Sequence, residues 1–335
     1  MTISAMASEE SADVVARVLG NRAATRDVAK QLGIDAAPLC VVCGGGSSGH
    51  AGVFLRYLIE TRLRLPVSAS APSVITAFGA ALKLRNALFI VISQSGRSPD
   101  LIAATRSARA AGARTVAIVN AAGSPVADEA EVVIPMGAGN EYSVAATKTV
   151  IASMAVGAAL VAELAGDSEL RDALDRLPER LARALTLDWS GIADDLAKAP
   201  AVFVAGRGLA LGPVREVALK LSEILHLPSI GVSAAELQHG PRAALSARTP
   251  VVMMRLMDET AATVDALAKE LRAQGIALHL AGGPLGSLPW LSDDYAATDA
   301  ITQLIPAYRM IEQTARALGF NPDRPPRLSK ITETF

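Results

Sequence analysis

The stretch "LCVVCGGGSSGHAGVFLRYLIETRLRLP", residues 39–66, joins a short apolar run, a glycine–serine turn and an amphipathic helix without a break. "ALFIVISQSGRSPDLIAATRSARAAG", residues 87–112, repeats the plan, and "ARTVAIVNAAGSPVADEA" and "EVVIPMGAG" supply two further apolar runs. Such runs, bounded by turn residues and spaced by helix-length segments, predict strands of a parallel sheet covered by helices on both faces. The plan then recurs. "AVFVAGRGLALGPVREVALKLSEILHLP" echoes residues 39–66, and "TPVVMMRLMDETAATVDALAKELRAQGI" echoes "NALFIVISQSGRSPDLIAATRSARAAGA". An offset of roughly 160 residues is that of a duplicated domain rather than a solenoid repeat.

This divides the chain into an N-terminal helical segment (1–36), a first α/β domain (37–165), a charged helical connector (166–198), a second α/β domain (199–320) and a proline-rich tail (321–335). Residues 8–33 read as helix, with Ser8 or Ser11 as N-cap and Gly33 as the stop. The run Val150–Val161 is short and alanine-rich for a membrane span. With 51% apolar residues and a formal charge of −1, the chain has material for two cores but no electrostatic footprint for nucleic acid or an anionic membrane. The N-terminus is acidic and lacks an apolar signal core, so a cytoplasmic location is expected. Cys40 and Cys43 lie within an apolar run, where cysteine packs as a small hydrophobe.

Polar groups concentrate in two turns of the first half. Ser47 and Ser48 follow three glycines, while Ser93, Gln94, Ser95 and Ser98 surround Gly96. In an open parallel sheet, ligands bind beyond the carboxyl ends of the strands, where helix N-termini present unpaired N–H groups. A serine at either place would be explained as a helix cap. Six such side chains in two turns exceed what capping requires, so the spacing predicts a phosphate cradle. Neither a Walker A loop nor a GxGxxG fingerprint is present. The second half has "RLMDET" where the first has "SQSGRS"; Asp258 and Glu259 would repel a phosphate there. Its ionisable groups offer acid–base chemistry instead. Lys220 and Glu223 share a helix face, Glu236 and His239 stand three residues apart, and Lys330 sits in the tail.

The stretches "GGSSGHAG", "SQSGRSPD", "NEYSVAATK", "ALKLSEI", "ELQHGP" and "RLSKIT", in that order, resemble the sugar isomerase (SIS) domain family. The similarity is to the isomerase half of glucosamine-6-phosphate synthase and its stand-alone deaminase relatives, and it covers essentially the whole chain. It implies two tandem SIS domains of flavodoxin-like topology in a homodimer, with a sugar phosphate held between domains and subunits. Ser48, Ser93, Gln94, Ser95 and Ser98 would then hold the phosphate, with Ser47 and the backbone around Val144 near the sugar. Glu223 would be the isomerisation base with Lys220 beside it. His239 would open the ring, reaching in from a partner subunit, and Lys330 would be the tail lysine. Two departures stand out: Arg97 takes the place of an acidic residue and Ser222 that of a lysine.

In the sequence given, Thr2 follows the first methionine and no glutaminase domain precedes the SIS pair, so glutamine-dependent synthesis by this chain alone is not expected. The expectation is a glucosamine-6-phosphate deaminase that isomerises as it deaminates. The alternatives are a relative acting on galactosamine 6-phosphate or a fructosamine phosphate, and a non-catalytic sugar-phosphate sensor. Lys330 would polarise sugar oxygens or form a Schiff base. No cofactor, metal, nucleic acid or membrane is called for.

Overall fold

The protein, described here from a computed structural model over residues 2–330, forms two compact units that do not follow chain order. The first-sheet unit takes residues 13–141 and 148–175 together with Ser329 and Lys330; the second-sheet unit takes residues 2–12, 142–147 and 176–328. The expected N-terminal segment and the connector are therefore each divided between the units. Ile331 and Thr332 of the "RLSKIT" stretch, with residues 333–335, lie outside the described residues.

The first sheet has five parallel strands: β1 (Cys40–Cys43), β2 (Val67–Ala69), β3 (Leu88–Ser93), β4 (Arg114–Val119) and β5 (Val132–Pro135). Their order, β2-β1-β3-β4-β5, is the flavodoxin-like one. β1 and β3 are buried throughout, as their unbroken apolar sequences require of parallel strands with both faces covered. Cys43 pairs with Val91 and Ser93 with Val119, so β1, β3 and β4 end side by side. The second sheet, of β6 (Val202–Gly206), β7 (Ser229–Ser233), β8 (Val251–Met254) and β9 (Leu278–Ala281), has the order β7-β6-β8-β9. It reproduces the first four strands of the other sheet, as the sequence echo predicts.

The N-terminal helix is not continuous. It runs as Ile3–Glu9, Ser11–Leu19 and Arg22–Leu32, broken around Glu10 and at Gly20–Asn21, and ends at Gly33 with the left-handed backbone (φ 49°) of a glycine stop. The Lys148–Ala165 helix is longer than its apolar run and has the length and apolarity of a membrane span, but 78% of it is buried within the protein, as a core helix requires. Both cysteines are free and buried. Burial pushes the Cys43 thiol up to about 11 and the Cys40 thiol higher still, so both remain protonated core groups.

Candidate functional site

The Gly46–Leu58 helix follows β1 after two residues and the Pro99–Ala110 helix follows β3 after five, so both begin at the carboxyl edge of the first sheet. Ser47 and Ser48 fall in the first turn of the earlier helix, whose N-cap is Gly45, so they are not caps. Gly46 holds φ 51°, which lets the chain turn sharply off the strand. In the second turn the Ser93 Oγ accepts the Gly96 N–H at 3.0 Å and the Ser95 Oγ accepts the Arg97 N–H at 3.3 Å. Ser98 occupies the N-cap of its helix without using its hydroxyl as a cap. Gly96 has φ 63°, and its N–H belongs to the same tight loop. Ser48, Gln94, Ser95 and Ser98 are half-buried. Among the described residues, the side chains of Ser48, Gln94 and Ser98 make no hydrogen bond.

The second-sheet unit fills the corresponding place differently. Asp258 Oδ1 accepts the Thr260 N–H at 2.9 Å and the Thr260 hydroxyl at 2.6 Å. A Cβ on Gly208, in the turn after β6, would come 3.5 Å from Asp258 Oδ2. A carboxylate therefore stands between the strand ends where the first sheet has its serines. Arg255, at the end of β8, is buried and bonded to Asp265 at 3.1 Å.

The Leu211–Leu225 helix carries the charged face predicted for it. Lys220 is fully buried, with its Nζ 2.5 Å from Glu223 Oε2 and 3.3 Å from Glu216 Oε1. Burial alone would favour the neutral amine, but the pull of Glu216 and Glu223 outweighs it and raises the pKa above the ordinary lysine value. Glu216, also fully buried, receives the Tyr308 hydroxyl at 3.3 Å. Glu223 alone of the three reaches partial exposure, so the ion network is anchored inside and offers one carboxylate outward. The sequence reading singled out Lys220 and Glu223 but passed over Glu216. Its position, four residues before Lys220 and seven before Glu223, placed it on the same helix face.

The remaining candidates are dispersed. His239 is exposed, directly before the Gly240–Ala244 turn, and makes no side-chain hydrogen bond or ion pair to Glu223 or any other described residue. The Val144 N–H donates to the Asp323 carbonyl at 3.1 Å, so that backbone donor is already engaged. Lys330 Nζ lies 3.9 Å from Glu141 Oε2. The buried Glu141 carboxylate also accepts the Thr149 N–H at 3.3 Å and the Thr149 hydroxyl. Glu141 lies within the "NEYSVAATK" stretch and Thr149 directly follows it, but neither was singled out, since nothing in a linear pattern pairs a loop carboxylate with a lysine 189 residues later.

A profile of the SIS domain matches residues 36–163 and 195–281, one segment over each sheet. The chain belongs to the SIS domain family. This SIS chain is 36% identical over 306 residues to a glutamine–fructose-6-phosphate aminotransferase from Methanothermobacter thermautotrophicus, which covers 87% of it and 50% of that relative. It thus spans about half the length of the curated relatives it matches. A candidate phosphosugar isomerase from Silicibacter pomeroyi DSS-3 superposes with a TM-score of 0.92 at 34% identity, over 96% of this chain and all of that one. A glucosamine-6-phosphate deaminase from Thermotoga maritima shares the fold, with a TM-score of 0.76 at 21% identity, over 97% of this chain and 100% of that chain.

Proposed function

We propose that this SIS chain is a glucosamine-6-phosphate deaminase that converts glucosamine 6-phosphate and water to fructose 6-phosphate and ammonia. One observation carries the reading: the polar side chains at the ends of β1 and β3 are not spent on capping their helices. Ser48, Gln94 and Ser98 retain their hydrogen-bonding capacity beside two helix N-termini, an arrangement suited to a phosphate dianion. A phosphate held there fixes the substrate by its unreactive end and leaves C1 and C2 for chemistry.

His239 opens the sugar ring by moving a proton between the ring oxygen and the anomeric hydroxyl, a task suited to imidazole. Glu223 then takes the proton from C2 of the open-chain aldehyde and returns it to C1, leaving an imine at C2. Water adds at C2, ammonia departs, and fructose 6-phosphate remains. Lys220 and Glu216 hold the base in place from within the helix face. Lys330, tethered by Glu141, supplies a cation for the sugar oxygens. The reading includes a cytoplasmic homodimer; an exposed His239 is what service to a neighbouring copy requires. Sedimentation equilibrium of the purified chain should then give twice the monomer mass.

The test is ammonia release across glucosamine 6-phosphate, galactosamine 6-phosphate, a fructosamine phosphate and unphosphorylated glucosamine. Release should be fastest from glucosamine 6-phosphate and negligible from glucosamine. Equal release from glucosamine with and without its phosphate would remove the cradle from the account, and binding with no release from any member would make the chain a sensor.

A further inference from the structure

The turn after β4, "NAAGSP", belongs to neither of the serine turns described above, yet its Ser124 lies directly against one of them. Ser124 is only 3% exposed, and its Oγ is buried with no hydrogen-bond partner among the described residues. It precedes Pro125 at the start of the short Pro125–Glu129 helix, just as Ser98 precedes Pro99, and like Ser98 it does not use its hydroxyl as a cap. Its backbone is fully engaged: the Ser124 N–H donates to the Ala121 carbonyl and its carbonyl accepts the Asp128 N–H, each at 3.1 Å. Only the hydroxyl proton remains unspent.

The hydroxyl is lodged under Gly96. A Cβ built on Gly96 would fall 2.0 Å from Ser124 Oγ, so Ser124 fills the space that any other residue at position 96 would need. The two turns are also joined through their backbones, the Val126 N–H donating to the Gly96 carbonyl at 3.0 Å. A buried hydroxyl without a partner carries an uncompensated desolvation cost that alanine at this position would avoid. That cost calls for a compensating role.

We propose that Ser124 is a positioning residue for the phosphate cradle, its hydroxyl holding the 93–98 turn in the shape it adopts around an anion. The physical reason is the geometry of the peptide group. When a turn directs its N–H groups at an anion, the carbonyls of the same peptides face the opposite way, toward the floor of the turn. Ser124 Oγ lies against Gly96 of that turn with a donor to give. The cradle thereby draws on three adjacent strand ends, β1, β3 and β4, rather than two.

The inference rests on the cradle reading above, and binding separates the two. Calorimetric titration with inorganic phosphate and with glucosamine 6-phosphate is run on the wild-type chain and on Ser124→Ala, with thermal melting of both in phosphate-free buffer. Ser124→Ala should bind both ligands about three- to tenfold more weakly, the worth of one hydrogen bond. Its melting temperature without ligand should be equal to or above that of the wild type. A merely structural serine would show the opposite pattern, with a lower melting temperature and unchanged affinity, and that result overturns the proposal. Unchanged affinity alone also overturns it while leaving the cradle standing. A wild-type chain that binds neither ligand takes both down.

Discussion

Glu223, the proposed base, shows how much of such a group's setting lies in residues buried behind it. Its partner Lys220 is wholly buried, and Glu216 supplies a second carboxylate that, together with Glu223, favours the charged ammonium there. Replacing Glu216 by leucine leaves a buried ammonium with half of its compensation. Glu216→Leu should therefore lower unfolding stability by about 3–5 kcal/mol, the range for breaking a buried pair. Chemical denaturation reads this directly, and a change below 1 kcal/mol would mean that Lys220 does not depend on Glu216. The Lys220–Glu223 pair was legible from i,i+3 spacing alone. The depth of burial was not, because nothing in "REVALKLSEIL" says which side of the helix meets Tyr308.

Among the elements, the strands β1, β3, β4, β6 and β8 were legible because they are buried almost throughout and their sequences are largely unbroken apolar runs. β2 and β7 were not. Each lies at the edge of its sheet, β2 is three residues long and β7 carries a glycine, so neither gives a periodic signal. The serine turns were legible by composition, but that Ser98 does not cap its helix needed coordinates. Ser98 decides between these roles. As a cap, its loss would cost about 1 kcal/mol of stability. Because its hydroxyl is not used in capping, Ser98→Ala should leave the melting temperature within a degree or two and raise the KM for a phosphorylated substrate several-fold. A clear loss of stability at unchanged KM would return Ser98 to capping.

At the scale of the whole molecule, the duplication in the sequence became two sheets of matching strand order, whereas the assignment of the N-terminal residues, the 142–147 segment and the tail to units did not follow chain order. Contacts between residues far apart in sequence decide that, and one sequence read alone does not display them. The second-sheet unit also has a built-in response to pH. Burial pushes the Asp299 carboxyl up to about 6, with Asp293 and Asp294 adding to the effect and the Asp294 N–H and Arg180 opposing it. In the unfolded chain the group titrates near 3.9, so between about pH 4 and 6 the folded state holds the extra proton. Stability from this group is therefore greatest below pH 4 and declines by about 3 kcal/mol as pH rises to 6 and beyond. Asp299→Asn should flatten that part of the stability profile, and a variant with the wild-type slope would assign the dependence elsewhere.

The central claim is that the Glu223 carboxylate moves a proton between two carbons of a sugar phosphate. Incubation with fructose 6-phosphate in D2O, followed by proton NMR, tests it without reference to the nitrogen chemistry. The wild-type chain should exchange a C1 hydrogen for deuterium and Glu223→Gln should not, while both bind the sugar phosphate with similar affinity. Exchange that persists in Glu223→Gln, or its absence from a wild-type chain that binds the ligand, would contradict the account.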